Sequence, residues 1–89
     1  MGTLELVIRA PLRPDDVAGL CARTCALLTE HEPDLVRCDV SGLPADAVSL
    51  DALAQLRLVT KRLGCELQLH GETPDLERLI EFAGLDRVL

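Results

Sequence analysis

The chain has 89 residues, 48% of them hydrophobic with a single aromatic, and a formal charge of −6 from 9 Lys and Arg against 15 Asp and Glu. One domain of this length buries roughly 60–65% of the surface its unfolded form exposes, so an aliphatic core without ring anchors is expected. No apolar run reaches about 18 residues, Met1–Glu5 lacks the basic-then-apolar order of a secretory signal, and the clustered cations and stacking rings of a nucleic-acid surface are missing. Membrane insertion and nucleic-acid binding are therefore disfavoured. A cytoplasmic protein is expected, its acidity suiting solubility or a basic patch on a protein partner.

Thr3–Arg9 (TLELVIR) alternates in part, with Leu4, Leu6 and Ile8 on one face and Glu5, Val7 and Arg9 on the other, which predicts a half-exposed strand. Ala10–Arg13 is a short link. Pro14 followed by Asp15 and Asp16 then opens a helix that runs to about Glu30. Val17, Leu20, Cys21, Thr24, Cys25 and Leu28 recur at helical spacing and form its expected buried stripe, and Pro33 stops it. Asp34–Val40 predicts a short strand ended by Ser41-Gly42, and Leu43–Val48 a loop. Ser49 is the expected N-cap of a second helix that runs to about Leu63, with Gly64 closing it. Cys65–His70 alternates as a strand. Thr73-Pro74-Asp75 then carries the cap, proline and acid of a helix start, and that helix turns Leu76, Leu79, Ile80 and Ala83 inward before Gly84. Strands separated by helices predict an α/β fold, a small, mainly parallel sheet with crossover helices, as one domain over residues 1–89.

The second helix carries an anomaly. Ala52, Leu53, Leu56, Val59 and Leu63 share one face, enough to pack on a sheet, while Leu50, Ala54 and Leu58 form a different stripe beside Asp51, Lys61 and Arg62. Either the last helix or a loop covers those leucines, or they are an exposed stripe that docks a partner.

Catalytic patterns are missing. Gly42 and Gly64 are isolated rather than part of a phosphate loop. The spacing of Cys21, Cys25, Cys38 and Cys65 fits no zinc pattern, and small buried hydrophobes in a reducing compartment is the plainer account. His31 and His70 are expected as surface loop histidines, and Asp46, Asp51 and Glu72 as solvated acids or helix caps. No cofactor, metal or enzymatic activity is expected. Ser49 is the one residue where chemistry is plausible. A serine at a helix N-terminus is either an ordinary cap or a phosphoacceptor whose added charge sits beside the helix's positive end.

Val36-Arg37-Cys38-Asp39-Val40-Ser41-Gly42-Leu43, then Asp46-Ala47-Val48-Ser49-Leu50, Leu53 and Leu56, Lys61-Arg62-Leu63-Gly64-Cys65-Glu66-Leu67, Thr73-Pro74 and Ala83-Gly84-Leu85-Asp86 follow one another in an order that resembles the STAS domains of anti-sigma-factor antagonists and transporter regulators. The resemblance implies a non-enzymatic module acting on a protein partner, an anti-sigma kinase or the ATPase of a lipid transporter. It also implies that the loop before the second helix and that helix's exposed face form the docking surface, which falls on Asp46, Ser49, Leu50, Ala54 and Leu58. Counting forward from Asp39 puts Ser49 at the family's phosphorylated serine; counting back from Gly64 puts Val48 there. The family's front end has two strands where only Thr3–Arg9 is apparent here, and a missing strand would leave a sheet edge open or favour a homodimer. Two further readings come from other classes: a small-ligand sensor with a pocket at the carboxyl ends of the strands, and a structural oligomerisation module.

Overall fold

Strands and helices alternate along the chain in the computed structural model, which describes residues 2–9 and 12–84. They are β1 (Thr3–Val7), α1 (Pro14–His31), β2 (Leu35–Asp39), α2 (Ala47–Arg62), β3 (Glu66–His70) and α3 (Pro74–Ala83). The strands form one three-stranded sheet in the order β1-β2-β3. Both pairings are parallel, with Leu4 opposite Val36 and Val36 opposite Leu67. This is the small α/β fold with a parallel sheet that the sequence predicts. Ala10 and Pro11 of the first link, and Leu85 and Asp86 of the terminal motif, lie outside the described residues.

The strand order decides where the core lies. Parallel crossovers are right-handed, so a sheet laid down 1-2-3 without reversal puts every connecting helix on the same face. Ile8, Val36, Cys38, Val40 and Leu67 meet Leu28 of α1, Leu53 and Leu56 of α2, and Leu76 and Ile80 of α3 in a single cluster on that face. The opposite face carries the alternate residues, in the rows Thr3–Leu35–Glu66, Glu5–Arg37–Gln68 and Val7–Asp39–His70. Parallel sheets are normally covered on both faces. Here Glu5, Arg37, Gln68 and Val7 on the second face are exposed.

Local chemistry sets the element ends. The Asp16 carboxylate accepts from the Arg13 N–H at 3.0 Å at the start of α1, and Glu32 ends that helix in the left-handed region at φ 46°. Thr73 caps α3 as expected, its hydroxyl accepting from the Leu76 N–H at 3.2 Å, and Gly84 closes it. The cap of α2 differs from expectation. Asp46 holds the extended N-cap conformation and its carboxylate accepts from the Ser49 N–H at 2.8 Å, so the helix begins at Ala47 and Ser49 lies inside its first turn. A carboxylate facing the positive helix end is a stronger acceptor than a hydroxyl, which explains why the aspartate takes the cap.

Three expected core positions are corrected. Cys25 is exposed, because it lies at the margin of the α1 stripe centred on Val17, Thr24 and Leu28. Leu63 is exposed, because it follows the last turn of α2 at a cap with φ −94° that carries it away from the buried stripe. Ala83, in the last turn of α3, is exposed as well. Polar residues occupy places on the buried stripes: Thr24 on α1, and Ser49, Arg57 and Thr60 on α2. The hydroxyls of Thr24 and Thr60 donate to the Leu20 and Arg57 carbonyls at 2.8 and 2.9 Å, which makes their burial tolerable.

Candidate docking surface

The loop between β2 and α2 is anchored from within. Leu43 is buried and its N–H donates to the Val40 carbonyl at 3.0 Å, while Ser41, Gly42, Pro44, Ala45 and Asp46 around it are exposed. The exposed side of α2 continues that surface through Ala47, Asp51, Leu58, Lys61 and Arg62. Leu58 is 52% exposed at its middle. The stripe marked out by Leu50, Ala54 and Leu58 is graded: Leu50 is half-buried and packs against the core cluster, Ala54 is half-buried, and Leu58 projects outward. Leu50 and Ala54 thus lean towards the core, and Leu58 faces solvent.

Ser49 does not sit in an exposed loop. Its side chain is 0% exposed and its Oγ has no hydrogen-bond partner among the described residues, while its N–H is held by Asp46. A kinase reaches this hydroxyl only if the first turn of α2 opens, because phosphoryl transfer needs the oxygen in line with the donor phosphate. Asp46 is exposed, but its carboxylate is committed to the cap. The five residues assigned to docking therefore separate into an exposed pair, Asp46 and Leu58, and an inward-leaning set, Ser49, Leu50 and Ala54.

At the carboxyl ends of the strands, Asp39 accepts from the Ser41 N–H at 2.9 Å, closing the turn that ends β2. That donation, helped by the Ser41 hydroxyl and by the nearby positive charges of His70 and Arg9, holds the Asp39 carboxyl below its ordinary range. His70 is the last residue of β3, where the predicted strand Cys65–His70 ends, and does not lie in a surface loop. It is half-buried, with Nε2 at 4.0 Å from the Glu5 Oε2, while Oε1 of the same carboxylate meets Arg37 at 3.5 Å. Val7, Ile8, Arg9, Asp39, Ser41 and Gly42 line an open depression at this end. Ligands of doubly wound sheets bind where the strand order reverses. The order 1-2-3 contains no reversal, so the depression is not that kind of crevice.

Burial, and the Asp39 charge after it, push the Cys38 thiol up to about 12, so it stays protonated at neutral pH. Cys21 is raised by burial and then by Asp51, and the Cys65 thiol donates to the Pro33 carbonyl at 3.1 Å. Among the described residues, no group of three or more His, Cys, Asp or Glu side chains is placed to hold a metal ion. No helix among the described residues is long and apolar enough to cross a membrane. The buried Arg57 and Thr60 were not foreseen from the sequence. Spacing alone signals them, since Arg57 lies four residues after Leu53 and Thr60 four after Leu56 on one stripe.

No family model matches the chain, and no curated protein matches it either.

Proposed function

We propose that this chain is a non-enzymatic, cytoplasmic protein-interaction module of the STAS type, a regulator in a sigma-factor or stress pathway. It docks through residues 41–46 and the outer face of α2. The observation that carries the reading is Leu58, an aliphatic side chain left 52% exposed on α2, on the side opposite the buried Ala52, Leu53 and Leu56. Asp51, Lys61 and Arg62 surround it with charges of both signs, which suits an apolar anchor within a polar rim. Docking would displace another protein from the partner's regulatory surface.

A second reading shares the surface but not the switch: a STAS-type subunit seated on the ATPase of a lipid transporter. The buried Ser49 hydroxyl favours it, since docking of that kind needs no modification at this serine.

The test is site-specific photocrosslinking in a lysate of the native host, with the crosslinker at position 58 and, as control, at exposed Glu30 on α1. An adduct to a histidine-kinase-like regulator confined to position 58 supports the first reading, and one to a transporter ATPase supports the second. The same adducts from both positions, or none, would remove α2 as the docking face.

A further inference from the structure

We draw no further inference here: the strongest candidate, the surface patch on the outer side of α3 where Phe82, the one aromatic residue of the chain, stands 90% exposed, is an unpartnered apolar face, and nothing in the structure shows what covers it.

Discussion

Gly71 packs so closely on Asp39 that a Cβ at residue 71 would stand 3.0 Å from the Asp39 Oδ1 and 3.0 Å from the Ser41 Cβ. Its φ of 80° also lies in the region that glycine alone enters freely. The glycine that follows β3 and the turn that follows β2 are thus one joint. It fixes the loop that leads to the candidate docking surface. Gly71→Ala should destabilise the fold by about 1–2 kcal/mol from backbone conformation alone, with the steric approach adding to it. Chemical denaturation of Gly71→Ala, Asp39→Ala and the double variant would show the coupling. A double variant whose loss equals the sum of the single losses would mean that the two residues act independently.

Asp39 also gives the fold a pH dependence with a definite sign. Its carboxyl titrates lower in the fold than in the unfolded chain, mainly because the Ser41 N–H bonds the charged form. The stabilisation is therefore fully present above the unfolded carboxyl value of about 3.9. It is lost as pH falls through that value towards the lower folded one. Asp39→Asn keeps an acceptor for Ser41 but removes the titration, so its denaturation midpoint should fall less steeply than that of the wild type below about pH 4. Parallel curves for the two proteins would assign the acid sensitivity to other carboxylates.

Ser49 separates a structural role from a signalling one. Its hydroxyl is buried without a partner, and its main contribution is a backbone N–H bonded to Asp46. Ser49→Ala keeps that bond, removes a buried polar group and raises helix propensity, so it should stabilise the fold by about 0.5–1 kcal/mol. Ser49→Asp puts a charge in the same closed space and should cost at least about 3 kcal/mol. Thermal melts of the pair decide the matter. A Ser49→Asp variant as stable as the wild type would show that the first turn of α2 opens readily, and would restore this serine as a modification site.

Alternation in TLELVIR and ELQLH, helix starts at Pro14 and Thr73-Pro74, and glycine at helix ends made the element order legible in the sequence. These are local signals, each spelled by adjacent residues. The side of the sheet that receives the helices was less legible, because it depends on strand order, and no single segment encodes that order. The sequence does not decide the cap of α2, because Asp46 and Ser49, three residues apart, are both good caps, and only their placement in the fold shows that the Asp46 carboxylate meets the helix end. Leu50 and Leu58 share one spacing pattern but differ in burial, since the core reaches one end of that stripe and not the other. His70 ends the strand where the alternation of Cys65–His70 predicts, and what the alternation does not give is its partial burial beside Glu5.

Leu56 and Leu58, two residues apart on α2, offer the sharpest contrast between core and surface. Leu56 is fully buried, and Leu58 is half-exposed on the opposite side of the helix. Leu56→Ala should cost about 2–5 kcal/mol, because the removed methyl groups leave a cavity that close packing cannot fill. Leu58→Asp should change stability by no more than about 0.5 kcal/mol, as for other surface substitutions away from caps and packing. Denaturation curves for both variants, measured beside crosslinking at position 58, separate folding from docking. If Leu58→Asp keeps its melting temperature and loses its adduct, the exposed leucine serves binding. If it melts early, the side chain supports the helix layer after all, and the docking surface would have to be sought among the loop residues 41–46 alone.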